Sequence, residues 1–175
     1  MALIHDFKSK LTGGGARANH FRVTLSFPSF VASGTTAANR AQFLCKSAQL
    51  PASTIEDIAV QYRGRAVHVA GERTFAPWTI NVYNDNDFLI RNAFERWAEK
   101  IQNLGGSAGL LNPADYQMTM QVDQLDRNDV VLKTYNFIDA YPTEVGAIEL
   151  DFDSANAIEL FPVTLQYNYW TASDL

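Results

Sequence analysis

The chain has 175 residues, of which 47% are hydrophobic and 12% aromatic, and its formal net charge is −5. This composition excludes wholesale disorder, the length predicts one domain that buries roughly 70% of its unfolded surface, and no apolar run approaches the roughly 20 residues of a membrane-spanning helix. The N-terminus lacks the apolar block of a secretory signal and the single cysteine, Cys45, cannot form an internal disulfide, so we expect a soluble protein made in a reducing compartment.

Charge is unevenly distributed along the chain. Residues 1–110 contain 12 Lys or Arg against 8 Asp or Glu, whereas residues 111–175 contain 2 against 11. Either these charges mix on one folded surface, or they form two unlike faces, which favours head-to-tail association between copies. The overall acidity argues against tight nucleic-acid binding, which needs a basic surface.

The first strand is predicted in HFRVTLSF (20–27), where apolar and polar side chains alternate as in a half-buried strand. Pro28 and the small residues of VASGTTAAN (31–39) then predict a loop. A short strand follows in FLCKSAQL (43–50), which Pro51 ends.

A β-hairpin is predicted next, from TIEDIAVQY (54–62) and RAVHVA (65–70) joined at Arg63-Gly64. The charged triplet Gly71-Glu72-Arg73 then predicts a turn. The aromatic-rich segment WTINVYN (78–84) predicts another strand after it.

One long helix is predicted from Asp85 or Asn86 to about Leu104, ended by Gly105-Gly106. Its apolar residues recur at spacings of 4, 3, 4 and 3, which is one stripe of an amphipathic helix. The stripe consists of Ile90, Phe94, Trp97, Ile101 and Leu104, of which Phe94 and Trp97 are the predicted core anchors.

The last third of the chain returns to strand patterns. QMTMQVDQL (117–125) and VVLKTYNFIDA (130–140) predict a second hairpin around the turn-forming residues 126–129. AIELDFD (147–153) and AIELFPVTLQYNYW (157–170) predict the closing strands.

About eight strands and one helix predict an α+β fold of mainly antiparallel β structure, a sandwich or a partly closed barrel. We expect this single domain to span residues 20–175 and to follow an N-terminal arm at residues 1–19. So many strands leave sheet edges, and an edge must be hidden or used for pairing.

Scattered histidines and one cysteine do not indicate a metal site or a nucleophile. None of His5, His20 and His68 has metal-ligand spacing with Cys45 or with another histidine. Cys45 lies in a strand-like segment without a nearby histidine or basic cluster, which is typical of a buried structural thiol.

Two further motifs also fail as sites. TGGGARAN (12–19) lacks the Gly-Lys-Ser/Thr ending of a phosphate loop. The calcium-like run that begins at Asp151 has Asn156 and Pro162 where an EF-hand loop needs Gly and Glu. Asp151 and Asp153 alternate on one strand, which is more often a solvated face than a glycosidase pair. We therefore predict no catalytic, cofactor or metal site, and favour a role in assembly.

Three segments carry a resemblance to a known family. They are VAGERTFAPWTINVYND (69–85), YPTEVGAIELDFDSANAIELFPVTLQYNYW (141–170) and the run from ARANHFRVTLSF to CKSAQLPA (16–52). Together they resemble the tail tube proteins of contractile-tailed, T4-like bacteriophages, in the same order and over most of the chain. The helix predicted between residues 86 and 104 also lies where this family has one, and the departures are a longer loop at 28–41 and a few extra N-terminal residues.

The resemblance implies a β-sandwich-like core with one flanking helix, assembled as a hexameric ring in which each subunit lends a four-stranded sheet to a continuous inner barrel. Stacked rings would form a hollow tube inside the tail sheath protein, around the tape-measure protein, and between baseplate and tail-terminator proteins. The tube would conduct the genomic DNA into the host without specific binding, with no cofactor and no membrane contact. The chain would be a late protein, assembled in the host cytoplasm and carried in the virion.

Two alternatives remain open. The same fold recurs in the tubes of R-type pyocins, other contractile injection systems and type VI secretion, so delivery of protein is one alternative. A monomeric binding module or enzyme on a β-sandwich is the other, and it predicts a monodisperse 19.5 kDa species with a ligand pocket. The tube hypothesis instead predicts a bore rich in Asp, Glu and uncharged polar side chains, since phosphate must pass without being gripped.

We expect inter-subunit contacts at the segment that begins with Gly71-Glu72-Arg73. The triplet is predicted as a turn at a ring-to-ring or subunit-to-subunit contact, with the Glu and Arg side chains paired and with Phe75 and Trp78 anchoring it to the core. Arg63 and Arg65 in the preceding hairpin are the next candidates. The alternative is an ordinary hairpin turn with a surface charge pair worth about 0–1 kcal/mol.

Overall fold

The computed structural model describes residues 4–106 and 108–173. The strands are β1 (Phe21–Thr24), β2 (Cys45–Ala48), β3 (Ser53–Tyr62), β4 (Arg65–Phe75), β5 (Trp78–Tyr83), β6 (Met118–Leu125), β7 (Val131–Val145), β8 (Leu160–Gln166) and β9 (Tyr169–Ala172). The helices are α1 (Ile4–Lys10), α2 (Gly34–Leu44), α3 (Leu89–Ile101) and α4 (Pro113–Tyr116), with a 3-10 turn at Thr12–Gly14. All paired strands are antiparallel, which confirms the predicted α+β class dominated by antiparallel sheet. No helix among the described residues has the length and apolar character needed to cross a bilayer.

Two four-stranded sheets share one long strand. Sheet A has the order β1-β6-β7-β9, and sheet B has the order β2-β5-β8-β7. The first part of β7 pairs with β6 as far as Ala140, and the last part, from Tyr141, pairs with β8. Between the two parts, Asp139 has a φ of 59°, a left-handed conformation that a short polar side chain tolerates. The strand is bulged at Asp139, and this bulge carries β7 from one sheet to the other. The alternation of apolar and polar residues in the sequence does not indicate it.

Aromatic side chains fill the space between the two sheets. Trp78 on β5 stacks on Phe137 of β7 with ring centroids 4.1 Å apart, and Phe137 meets Tyr167 edge-on at 4.9 Å. The indole Nε1 of Trp78 donates a hydrogen bond to the carbonyl of Gln49 at 2.8 Å, so its polar atom is satisfied although the side chain is buried. Because β7 joins the sheets on one side only, the opposite side of the sandwich needs another cover.

Helix α2 provides that cover, because it contacts β1, β2 and β5, and α3 packs against α2 and β7. Phe94 and Trp97 of α3 are buried and both meet Phe27 edge-on, at 5.0 and 5.7 Å between ring centroids. Trp97 Nε1 donates to the carbonyl of Tyr116 at 2.9 Å. The helix is shorter than predicted, because Phe88 has a φ of 52° just before it, and Leu104 lies beyond its end and is exposed. The result is a sandwich joined on one side by β7 and covered on the other by α2, with α3 packed against both.

The loop predicted at residues 28–41 is wrong over its second half, where α2 runs from Gly34 to Leu44. The helix packs closely because its buried residues are small: Ala37 and Ala41 are fully buried, and a Cβ on Gly34 would lie 2.7 Å from the Cβ of Phe27. Small, weakly hydrophobic residues give no clear amphipathic stripe and imitate a turn-rich loop. Packing against the rest of the fold therefore determines that this segment is helical, and the hydrophobic pattern of the segment itself does not.

The strand predicted at residues 147–153 is also wrong. Residues 147–159 form an exposed loop between β7 and β8, and Leu150, Phe152 and Ile158 project from it into solvent. The alternation of apolar and acidic residues is present, but no strand in the described part of the chain lies beside it, and a strand needs a paired neighbour. The second hairpin, in contrast, is confirmed as β6–β7.

Candidate inter-subunit surfaces

The β3–β4 hairpin projects from the sandwich as a separate two-stranded sheet. Its connection is the two-residue turn Arg63-Gly64, with φ values of 48° and 80°. Two successive left-handed residues match the right-handed twist of a hairpin, which confirms the predicted connection. Every residue of β3 is exposed, and on β4 only Gly71 and Phe75 are partly covered.

One face of the hairpin is aliphatic. Val60 lies opposite Val67 and Ile58 lies opposite Val69, so all four side chains share one face. Each of the four is 51–52% exposed. An isolated two-stranded hairpin is marginally stable in water, and a contiguous exposed apolar face indicates a binding surface.

The turn predicted at Gly71-Glu72-Arg73 is wrong: the triplet lies inside β4. Arg73 pairs with Ile55 and Ala70 pairs with Asp57, so Gly71 and Glu72 together oppose the single residue Glu56. This arrangement is a β-bulge, and a glycine inside a strand pattern marks a bulge as often as a turn. The predicted Glu72–Arg73 ion pair is absent from the described part of the chain, and both side chains are exposed.

The five predicted contact residues therefore do not form one cluster. Arg63 and Arg65 lie together at the tip of the hairpin, whereas Gly71, Glu72 and Arg73 lie near its base. Along the hairpin, the aliphatic face lies between these two groups. The aliphatic face between them was not predicted as a contact. Its signal in the sequence is the alternation itself, which continues through both strands although no segment among residues 4–106 and 108–173 buries this face.

We expect Gly71→Val to loosen the hairpin without unfolding the domain. A Cβ on Gly71 would lie 3.0 Å from the carbonyl oxygen of Glu56 and 3.1 Å from Cγ1 of Ile58, so the strands must separate at the bulge. Hydrogen exchange of the β3 and β4 amides should accelerate by roughly tenfold, because the hairpin opens on its own, while the thermal midpoint changes by less than about 2 °C.

Ala70→Val is the matched control for this change. Ala70 is exposed, precedes the bulge and receives the same side chain, so its amide exchange should stay at the parent rate. Unchanged exchange in Gly71→Val would contradict the close approach of the two strands at Glu56.

The hairpin is joined to the core by the residues predicted to anchor it. Phe75 is half-buried, with its ring centroid 6.1 Å from that of Tyr167, and Trp78 is buried between the sheets. Ile80 and Val82 follow on β5 with their side chains in the core. A force on the hairpin is thus transmitted directly to the centre of the sandwich.

The outward face of sheet B is largely polar and almost uncharged, although Leu160 and Pro162 of β8 also lie on it. Asn81 donates to Ser47 Oγ at 2.9 Å, and the hydroxyls of Thr79 and Thr164 lie 3.4 Å apart across β5 and β8. The charged side chains on this face lie on its two edge strands, Lys46 on β2 and Glu144 on β7. Such a surface can form hydrogen bonds, and it exerts almost no net electrostatic attraction or repulsion on a charged molecule.

The outward face of sheet A carries a buried carboxylate. Asp123 is 1% exposed, and its Oδ2 accepts from Arg22 Nη2 at 3.1 Å. Its Oδ1 accepts from Gln121 Nε2 and from Thr134 Oγ1, both at 2.7 Å. Burial alone raises the pKa of this carboxyl, but the hydrogen bonds from Gln121, Thr134 and Arg22 outweigh burial and hold its pKa below the ordinary value. The group is a fully satisfied structural anion.

The described residues match neither the requirements of a metal site nor those of a reactive cysteine. No group of three or more His, Cys, Asp or Glu side chains there is arranged to hold a metal ion. Burial raises the pKa of the Cys45 thiol to about 12, so the reactive thiolate is scarce at neutral pH.

Known proteins resemble this chain in both sequence and fold. The profile described as phage tail tube protein matches residues 16–173. The chain is 35% identical over 160 residues to tail tube protein gp19 of Enterobacteria phage T4, covering 91% of this chain and 93% of that protein. It is 33% identical over 175 residues to the tail tube protein of Serratia phage KSP90, covering 95% of both chains.

Solved structures share the fold at lower identity. The anti-feeding prophage cap has a TM-score of 0.67 at 18% identity, over 90% of both chains. The sheath/tube terminator of an extracellular contractile injection system, PVC, has a TM-score of 0.66 at 14% identity, over 90% of this chain and 95% of that one.

Proposed function

The chain belongs to the phage tail tube protein family, and we propose that six copies of it close into a ring whose stacking builds a hollow tail tube. The β3–β4 hairpin carries this proposal, because its aliphatic face is half-exposed in a single copy and its two strands pair with no third strand among the described residues. A neighbouring copy would remove that face from water and stabilise the hairpin.

Ring closure would use the edges of sheet B. Its edge strands are β2 and the last part of β7, and each has one side without a partner strand in the described chain. Pairing β2 of one copy with β7 of the next, six times, would join the sheets into one barrel without free edges. The acidic second part of the chain supplies Glu144 to one edge and the basic first part supplies Lys46 to the other, so the two edges are complementary in charge.

We assign the wall of the bore to the outward face of sheet B. Its hydroxyl and amide side chains would let a polyanion slide past, because they offer no fixed positive charge to the phosphates except Lys46, which Glu144 balances. The tube would then conduct genomic DNA without binding it specifically. The contact residues Arg63, Arg65, Gly71, Glu72 and Arg73 would lie on the hairpin, outside the bore.

A tube subunit of this kind works with other tail components. We propose that the tube lies inside the tail sheath protein and around the tape-measure protein, and that it ends on baseplate and tail-terminator proteins. Its role is structural and requires no cofactor, assembly takes place in the host cytoplasm, and the product is part of the virion. Delivery of protein by an injection system is less favoured, since the phage relatives are 33–35% identical and the injection-system structures only 13–18%.

Electron microscopy of the purified chain tests the proposal. We expect six-fold rings or filaments with a central hole, and in a cryo-EM map the side chains of Thr79 and Asn81 should face that hole. A solution that remains at 19.5 kDa by light scattering at high concentration would overturn the tube proposal and favour a monomeric binding module. A tube with sheet A facing the hole would overturn only the assignment of the bore.

A further inference from the structure

The hairpin and the 147–159 loop leave sheet B at opposite ends. In β5, Trp78 pairs with Leu165 and Tyr83 pairs with Leu160, so these two pairs mark the two ends of the sheet. The β3–β4 hairpin emerges beside Trp78, and the loop returns into the sheet at Leu160. The six residues of β5 place the two exits about 20 Å apart. The hairpin itself, with ten residues in β3, reaches roughly 30 Å further.

The 147–159 loop is both apolar and acidic. It contains four carboxylates and no Lys or Arg, and Leu150, Phe152 and Ile158 are exposed, with Phe152 entirely in solvent. The loop curves around an open cleft of about 520 Å³, whose lining includes Leu150, Ile158 and Glu149. Large apolar side chains among uncompensated carboxylates predict a partner that is itself apolar and basic.

The tip of the hairpin has that complementary chemistry. From Val60 to His68 the chain carries Arg63 and Arg65 and no acidic residue, beside the exposed ring of Tyr62 and the aliphatic pair Val60 and Val67. Within one molecule the hairpin and the loop leave sheet B at opposite ends. A head-to-tail stack of copies brings tip to loop at every contact and, unlike a two-fold dimer, leaves one tip and one loop free for the next copy.

We propose that the 147–159 loop is the receptor for the hairpin tip of the copy in the adjacent ring. This inference rests on the proposed stacking of rings and specifies which residues meet there. Tyr62 and the aliphatic pair cover Leu150, Phe152 and Ile158, while Arg63 and Arg65 face the carboxylates of the loop. The contact buries the apolar side chains of the hairpin tip and of the loop, which are both exposed to water in a single copy. It can repeat from ring to ring without forming a closed assembly.

Cross-linking between two introduced cysteines tests the contact. The variant Tyr62→Cys/Phe152→Cys, made in a Cys45→Ser background, is assembled into tubes and treated with a short bismaleimide. Because every copy then carries both partners of the contact, we expect a ladder of covalent oligomers that continues well beyond six subunits. Tyr62→Cys/Leu111→Cys is the matched control: Leu111 is equally exposed but belongs to neither surface, and its ladder should be absent.

The other outcomes have distinct meanings. A ladder that stops at six would place the contact within one ring and overturn the proposal. Tubes that form normally but do not cross-link would also overturn it, while leaving the tube function intact. Absence of any tube or ring from the parent chain would instead count against the proposed function itself.

Charge exchange provides a second, independent readout. Arg63→Glu/Arg65→Glu and Asp151→Lys/Asp153→Lys should each shorten filaments by roughly tenfold or more, because like charges then face each other across the contact. Combining all four changes should restore most of the length, with rings of unchanged size throughout. Filaments of parental length in both double variants, or no recovery in the combination, would refute the pairing of tip and loop.

Discussion

Replacing both Val60 and Val67 with aspartate is expected to abolish tube formation while leaving the sandwich folded. The two residues lie directly opposite each other on the aliphatic face of the hairpin and are each 51% exposed, so the change removes no core packing. In the assembled tube the same change would place two charges in an apolar contact, where an unpaired buried charge costs several kcal/mol. Because each ring makes this contact six times in the proposed assembly, filaments should fall below detection by negative-stain microscopy while circular dichroism stays unchanged.

Gln61→Asp/Ala66→Asp is the matched control for this variant. These two residues are also directly opposite each other, one position along, on the other face of the hairpin. The paired aspartates repel each other across the two strands in both variants and therefore weaken the hairpin in both. Tubes from the control alone would identify the aliphatic face as the contact. Loss of tubes in both would point to a disrupted hairpin, and normal tubes from the valine variant would contradict the interface.

Replacing Asp123 with alanine is expected to lower the free energy of unfolding by about 3 kcal/mol. The carboxylate accepts hydrogen bonds from Arg22, Gln121 and Thr134, and its removal leaves these donors without an acceptor on the face of sheet A. Chemical unfolding at pH 7 measures the loss directly. Glu72→Ala, which removes an exposed and unpaired carboxylate, should change stability by no more than about 0.5 kcal/mol.

The cost of Asp123→Ala should depend on pH. Since the pKa of Asp123 in the folded chain lies below its ordinary value of about 3.9, the stabilisation is complete above that value and disappears as the pH falls through the folded pKa. The difference in the free energy of unfolding between the parent chain and the variant should therefore become smaller in acid. Equal stabilities already at pH 7 would show that the ionised network contributes nothing.

Strand patterns predicted the fold best where the covering partner lies in the same chain. β5 and β8 alternate cleanly because Ile80, Val163 and Leu165 pack into the common core, and the family resemblance was confirmed over nearly the whole length. The same alternation misled at residues 147–153, where no strand of the described residues pairs with the segment. Alternation reports that one side of a segment is apolar and does not say which molecule covers it.

Local signals failed where packing or backbone geometry decides the outcome. Helix α2 forms because Ala37 and Ala41 fit closely against their neighbours, a reason that no propensity records. Gly71 was expected to turn the chain, but the strand continues because a bulge absorbs the extra residue. The contact candidates were therefore found in the right hairpin but with the wrong geometry, and the aliphatic face and the acidic loop were both missed.

The opposite exits of the hairpin and the loop would give the proposed tube two different ends. One terminal ring would present six basic, aliphatic hairpin tips, and the other would present six acidic loops. A complex that starts the tube and a complex that ends it could therefore not share one docking chemistry. The first would have to imitate one end of a subunit, and the second would have to imitate the other end.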